Sequence, residues 1–528
     1  MAGTQEIQNW RPKYNPWLVA VIVAMAAFME VLDTSIANVA LPHIAGSMGA
    51  SLDQGTWVLT TYLVANAIVL PITGWITSVI GRKRFFIICI ALFTASSVFC
   101  GMAPSLPMLL LARVLQGAAG GGMQPMSQSI MADSFPPRLR GMAFALYGIT
   151  VVVAPALGPT LGGWITDNYS WRWIFLINLP IGLLAMGLVY LFVEDPPFLR
   201  RFKPGEMHLD TVGLAFLVVG VGALQIFLDK GQEDDWFGSR FISTLVVVSL
   251  VCLVSLVIWE WRHKQPLVDV RLFRYINFTG ASTMMFMAGA VAFSSTILMP
   301  QFLQALMGYT AENAGVIVSI GAALVLVTMP IVGLLTSYVP VKYLVAVGWF
   351  ISAAGLYFST RLLSLEISFG GAAVIMMVQF APLAFIFVPA AMASFMGVPQ
   401  GRSDSVTGLT NFMRNIGSSV GAAIVQTVIA RRQQFHLARL SDHLALGDPR
   451  LAFNYSIIGA HMRSAGLGFA GTQAAVIGQI YRGFMMQAAA MSFIDVYVVL
   501  GVGSAAMFVL SFFLKTNDPK NTDIQAMH

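Results

Sequence analysis

The sequence predicts an all-α polytopic membrane protein, and three observations carry that expectation. Only 10% of the 528 residues are charged and 57% are hydrophobic, where an ordinary soluble domain has about 25% charged residues. Mean hydropathy is +0.76. Apolar runs such as 17–29, 86–95, 212–228, 243–258 and 372–396 recur along the whole chain, set against the roughly 20 apolar residues that a helix needs to cross a bilayer. The runs do not alternate with period two, which excludes a β-barrel.

Fourteen spans are expected, near 17–38, 55–79, 84–102, 107–132, 140–165, 172–193, 210–229, 240–260, 275–300, 311–337, 341–359, 370–396, 403–430 and 490–514. The first follows Arg11 and Lys13 as a signal sequence would. It runs on through Asn38 without a small-residue cleavage site, so it is read as a retained helix. An even number puts both termini on one side. That side then holds Arg82, Lys83, Arg84, Arg138, Arg140, Arg200, Arg201, Lys203, Arg262, Lys264, Arg271 and Arg274, and the positive-inside rule makes it the cytoplasm. Opposite it, Gln232 to Trp236 (QEDDW) form an acidic external turn between spans seven and eight. Residues 431–489 form one long external connection with Arg431, Arg432, Arg439, Arg450, Arg463 and Arg482. Long segments cross largely regardless of charge. The stretch RRQQFHLARLSDHLA within it reads as an amphipathic helix, either a solvated flap or a docking surface for a partner outside the inner membrane.

The net charge of +6 is spread over short loops, which fits membrane orientation better than a nucleic-acid surface. Cys89, Cys100 and Cys252 fall inside spans without metal spacing. There is no GxxxxGK[ST] loop, so ATP is not the expected energy source. No metal cluster or nucleophile–base constellation is apparent, and neither an enzyme nor a cofactor is expected.

The first span contains MEVLDTSIANVALP, with Glu30 and Asp33 three residues apart on nearly one face. An acid at the bilayer centre costs about 2.5–3.5 kcal/mol on insertion scales, so it faces the bundle interior or a cavity. Burial and a neighbouring acid both disfavour the charged form, and a site that gains and loses a proton needs such an environment. Arg113 on span four is the obvious counter-charge, followed on the same helix by Gln116, Gln124, Ser127 and Gln128. Arg414 on span thirteen, with Asn411, Ser418 and Ser419, could line a cavity from the other end of the chain or serve packing alone. Asp495 is a weaker second proton candidate, expected near the outer end of span fourteen.

Three stretches occur in order: GWITSVIGRKR (74–84), LLLARVLQGAAGGG (109–122) and APALGPTLGG (154–163). They resemble the A, B and C motifs of the major facilitator superfamily, the third marking its drug:proton antiporters. LDTSIANVALP, LQIFLDKGQEDDWF (224–237) and NFMRNIGSSVG (411–421) are similar to the fourteen-helix branch. The closest flavour is the EmrB-type multidrug efflux pump of the bacterial inner membrane, which works with a periplasmic adaptor and an outer-membrane channel. The resemblance implies two six-helix bundles, 1–200 and 271–430 with 490–514. Two helices are inserted at 201–270, an external loop lies at 431–489 and a cytoplasmic tail at 515–528. It implies a proton-driven exporter of hydrophobic or amphipathic drugs with Asp33 as coupling residue. Glu30 is an extra acid beside the motif, for protons or for cation recognition.

Further expectations follow from the same resemblance. Arg113 responds to protonation, and Gln116, Gln124, Asn411 and Arg414 face the substrate cavity. Gly74, Gly81, Arg82 and Lys83 form the cytoplasmic turn, while Pro155, Gly158, Pro159, Gly162 and Gly163 make a kinked, tightly packed hinge that limits proton leak. Motif A usually has an acid and a base where this chain has Ser78 and Val79, so the latch between the halves is weaker or built differently. Two alternatives stay open. One is an exporter of a specific anionic metabolite, fatty acid or siderophore, with Arg113 and Arg414 facing the substrate. The other is a membrane scaffold or sensor working through 431–489.

Overall fold

The computed structural model describes residues 12–197, 209–399, 401–441, 455–458, 460 and 469–515. Arg11, Arg200, Arg201, Lys203, Arg450, Arg463, the middle of the 431–489 connection and the tail beyond 515 lie outside the described residues.

Fourteen long helices are described. They are α1 Pro16–Ser47, α2 Asp53–Ile80, α3 Arg82–Met102, α4 Leu106–Ser134, α5 Pro137–Asn168, α6 Trp173–Phe192 and α7 Thr211–Lys230. The rest are α8 Arg240–Arg262, α9 Ile276–Met307, α10 Ala311–Leu335, α11 Val341–Leu362, α12 Phe369–Ser394, α13 Ser403–Ser441 and α14 Phe469–Ser511. Local signals set several starts. Asn15 caps α1 by accepting from the Trp17 N–H at 2.9 Å, with Pro16 in the first turn. Ser51 and Gln54 make a reciprocal capping box at the head of α2. Midway, α2 passes through a 3₁₀ turn at Leu70–Ile72, where Pro71 removes a backbone donor.

Twelve of these helices are long and apolar enough to cross a membrane. The two that fall short, α4 and α13, carry the polar residues of the interior: Arg113, Gln116 and Gln128 on α4, and Asp404 and Asn411 on α13, are all buried. Large apolar side chains such as Val247, Leu250, Val254 and Val257 on α8 point outward, as lipid requires.

The packing repeats itself with a shift of eight helices. In the first unit α1 packs on α5 and α4, α2 on α4, and α3 on α4 and α6. In the second α9 packs on α13 and α12, α10 on α12, and α11 on α12 and α14. The units meet along α5 with α10 and α12, and along α13 with α2 and α4, which the same shift interchanges. Helices α7 and α8 form a hairpin outside this repeat, with α7 lying against both α2 and α13.

Two boundaries differ from the sequence expectation. Helix α13 continues to Ser441 and α14 already begins at Phe469, so both ends of the expected loop are helical. The amphipathic helix expected for RRQQFHLARLSDHLA is present through Ser441, but as an unbroken continuation of α13 and not as a separate element. At about 1.5 Å per residue, the 39 residues of α13 reach well beyond a hydrocarbon core of about 30 Å. In consequence Asp495 lies well inside α14 instead of near its end. It pairs with Arg432 Nε at 2.5 Å and His436 Nε2 at 2.7 Å.

Candidate functional site

The site begins with glycines. Along α4, Gly117 and Gly121 face the backbone of α2 so closely that a Cβ at Gly117 would collide with the Tyr62 carbonyl, and one at Gly121 would lie 2.6 Å from that of Asn66. This small-xxx-small approach brings α2 within reach of Arg113, whose Nε donates to the Val58 carbonyl at 3.0 Å.

Arg113 is fully buried, and its Nη1 donates to Asp33 Oδ2 at 2.7 Å and to Gln116 Oε1 at 2.7 Å. The other Asp33 oxygen accepts from Gln116 Nε2 at 2.9 Å and Asn178 Nδ2 at 2.6 Å. The Tyr62 ring stacks 4.2 Å from the guanidinium. The Asp33 carboxyl is thus paired with a guanidinium and multiply hydrogen-bonded, the arrangement that makes a buried charge tolerable.

Glu30 has a different environment. One oxygen accepts from Tyr62 Oη at 2.9 Å and Asn66 Nδ2 at 3.1 Å, and the other accepts from Gln124 Nε2. All three donors are neutral, so no cation touches a carboxylate that is 3% exposed. Gln124 carries the contact across the molecule, since its Oε1 accepts from Arg414 Nη2 on α13. Tyr147 Oη lies between Gln124 Oε1 at 3.1 Å and Asn411 Oδ1 at 3.3 Å, and Asn411 Nδ2 donates to Gln128 Oε1 at 2.6 Å. Tyr62 joins the two acids, its ring on the arginine of one and its hydroxyl on the other.

A small cavity between the units is lined by the polar side chains of Gln128, Tyr147 and Arg414 together with the apolar ones of Phe144, Met285 and Phe387. Of the residues expected to face substrate, Arg414 lines it, and Gln124 and Asn411 stand directly behind, bonded to lining groups. Gln116 does not. It is fully buried in the Asp33 cluster, because its place one turn from Arg113 turns it toward α1. Arg113 is likewise held away from the cavity.

The end of the molecule that carries the basic loops is closed by a second cluster. Arg82 Nη2 meets Asp133 of its own unit at 2.8 Å, and Nε lies 2.8 Å from Asp404 of the other. Ser403 Oγ donates to Asp133 at 2.8 Å, and a Cβ on Gly74 would collide with Ser405. Gly81 has φ +88°, a positive-φ conformation that glycine adopts without steric cost. Lys83 caps neighbouring groups, its N–H on Asp195 and its Nζ on the Tyr190 carbonyl, both at 2.7 Å. Ser78 only bonds back to the Trp75 carbonyl at 2.6 Å. The acid that reaches across the seam is therefore Asp404, contributed from the opposite helix.

In α5 the prolines have a local consequence. Pro159 lacks the N–H that would satisfy the Pro155 carbonyl, and Ser35 Oγ of α1 donates to that carbonyl at 3.0 Å. A Cβ on Gly158 would collide with Ser35, and Gly162 rests against Ile36. Gly163 has open space around it and takes no part in this contact. The helix runs unbroken through both prolines.

Sequence reasoning missed Tyr62, Asn66, Asn178, Gln225 and Asn415. Polar residues spaced by four inside apolar spans, Tyr62 with Asn66 and Asn411 with Asn415, were the available signal, since such residues face the bundle interior.

The profile of the Major Facilitator Superfamily matches residues 23–422. The chain belongs to the major facilitator superfamily. It is 39% identical over 427 residues to the multidrug export protein EmrB of Haemophilus influenzae, covering 81% of this chain and 83% of that protein. It is 37% identical to the fatty acid resistance protein FarB of Neisseria gonorrhoeae, covering 81% and 83%. Among solved structures, the proton:xylose symporter XylE aligns over 97% of this chain and 100% of its own, with a TM-score of 0.58 at 14% identity, a likeness of fold alone. As a superfamily member the chain is a multi-pass membrane transporter.

Proposed function

We propose that this transporter is a proton-coupled exporter of hydrophobic and amphipathic compounds in the bacterial inner membrane, with both termini cytoplasmic, driven by the proton gradient without a cofactor. The relationship to a multidrug export protein at 39% identity supports the reading. The observation that carries it is Glu30: a buried carboxylate met only by neutral donors, one amide away from Arg414 on the cavity wall. A group that exchanges a proton must be able to exist uncharged, and Glu30 has no adjacent cation to hold it in one state, whereas Asp33 has Arg113. In this reading Glu30 takes a proton from outside, the neutral site favours the inward-facing state, and drug entry from the cytoplasm or inner leaflet accompanies proton release. Each ligand need only bind one state better than the other. The projecting ends of α13 and α14 are the surface to which we assign a periplasmic adaptor and, through it, an outer-membrane channel.

The test is uptake of a fluorescent lipophilic cation into reconstituted vesicles under an imposed pH gradient. Glu30→Gln should abolish gradient-driven uptake while drug binding persists. Undiminished coupled uptake by Glu30→Gln would sink the assignment, and loss in Asp33→Asn alone would transfer it to the neighbouring acid.

A second reading is favoured by Arg414, which faces the cavity without an ion pair among the described residues. It could receive the head of an anionic amphiphile. Faster export of a lipophilic anion than of a cation, lost in Arg414→Leu, would support that reading over the first.

A further inference from the structure

The motif LQIFLDKGQEDDWF finds no use in the cycle just described, and its residues build something specific. At the outer end of α7, Lys230 Nζ reaches Thr56 Oγ1 at 2.5 Å and the Asp53 carbonyl at 3.4 Å, and Asp229 accepts from Thr60. All three partners belong to α2. The turn that follows folds back on itself, with Trp236 against Phe227 at 5.1 Å between centroids and its Nε1 on Gln232 at 3.0 Å. A Cβ on Gly231 would collide with the Trp236 ring. The inserted hairpin is thereby fastened to the first unit.

About one turn before Asp229, Gln225 points the other way. It is 3% exposed. Its Oε1 accepts from Ser419 Oγ at 2.8 Å, which orients the amide so that Nε2 donates to Asn415 Oδ1 at 3.3 Å. Asn415 Nδ2 then donates to Asn66 Oδ1 at 3.4 Å, and Asn66 Nδ2 donates to Glu30 Oε1 at 3.1 Å. Three amides in series present their N–H groups in one direction, toward the acid. Chains of this kind polarise one another and strengthen the last bond, which here favours the carboxylate form. The relay passes from α7 to α13 and from α13 to α2, so it exists only while α13 lies against both.

We infer that Gln225 is a positioning residue for the proton step, and that the inserted hairpin belongs to the coupling machinery instead of being a spacer. The inference rests on the reading of Glu30 as the proton-carrying group. The other charged or titratable groups near Glu30 are Asp33 on its own helix, Tyr62 on α2, Arg113 on α4, Tyr147 on α5 and Arg414 on α13, and none touches Gln225. The relay is assembled while α13 lies against α7 and α2 and breaks when they part, so the donors that reach Glu30 change with the movement of the halves.

The experiment is the pH profile of drug exchange in vesicles without an imposed gradient, which needs no net proton movement, for the native protein, Gln225→Leu, Glu30→Gln and the double variant. Gln225→Leu should move the half-maximal pH upward by about half a unit, because a carboxylate with weaker donors releases its proton later. The KM for drug at the new optimum should stay unchanged, since Gln225 does not line the cavity. Glu30→Gln should flatten the profile, and Gln225→Leu should add nothing to it. A flat Glu30→Gln profile with an unshifted Gln225→Leu profile overturns the relay while leaving Glu30 in place. A native-like profile for Glu30→Gln overturns both readings. A Gln225→Leu shift that persists in the double variant also refutes the relay, because the residue then acts on another group. Should Gln225→Leu not reach the membrane, Asn415→Ala breaks the same series one amide further on and must give the same upward shift.

Discussion

Glu30 and Asp33 sit one helical turn apart and are solvated by the protein in opposite ways. Asp33 shares a full ion pair with Arg113 and two amide donors, while Glu30 has neutral donors alone. Replacing one partner of a buried pair leaves the other charge uncompensated, at a cost of about 3–5 kcal/mol. Asp33→Asn should therefore lower the thermal midpoint in detergent by several degrees, and Glu30→Gln should leave it nearly unchanged. Scanning fluorimetry of the two purified variants reads the difference directly. Tyr62→Phe is a subtler probe, because it keeps the ring on Arg113 and removes only the hydroxyl from Glu30. Its thermal midpoint should stay close to native while its transport pH profile moves upward, and an unchanged profile would show that the hydroxyl does not bear on the proton step.

Among helices, α5 shows how two prolines can be absorbed without a break. The carbonyl that Pro159 leaves open is taken by Ser35, and Gly158 lets the two helices come close enough for that bond. Gly158→Val should lose transport and about 1–3 kcal/mol of stability through overpacking. Gly163→Ala, which meets open space, should behave as native in the same uptake and melting measurements. Equal loss in both would mean that α5 needs flexible glycines and not close contact.

Helices were also where the sequence was most and least legible. Apolar length and composition carried the spans, and two buried acids with an arginine carried the pairing of Asp33 with Arg113. The amphipathic pattern of 431–441 showed a helix there, but not that it continues α13 without a break. Gln116 was assigned to the cavity because helix membership alone does not say which neighbour a side chain faces. The relay through Asn66, Asn415 and Gln225 was hidden for a related reason. Each residue is an ordinary amide until three helices from distant parts of the chain are brought together.

For the molecule as a whole, the duplicated packing leaves two seams, and the structure closes the one at the basic-loop end with charge. Arg82 stands between Asp133 and Asp404, so the closing acid has been contributed by α13 where Ser78 of α2 only bonds its own helix. Asp404→Ala removes the bridge between units and keeps the Arg82–Asp133 pair. A cysteine placed at Met285 on the cavity wall should then be labelled by a water-soluble maleimide from that end about tenfold faster, the equivalent of roughly 1.4 kcal/mol. An unchanged labelling rate would mean that the close approach of Gly74 to Ser405 and of Gly141 on α5 to Thr336 beyond α10, not the ion pair, holds this end shut.

The overshoot of α13 and α14 gives the molecule a lever arm. A rod reaching about 28 Å beyond the hydrocarbon core, rotating rigidly about the core's edge by an angle on the order of 15°, sweeps its tip through about 7 Å. Motion that is small inside the bundle, where Gln124 joins Glu30 to Arg414, becomes at the tip a displacement as wide as a side chain is long. Whatever grips that tip feels each stroke of the pump without touching the drug.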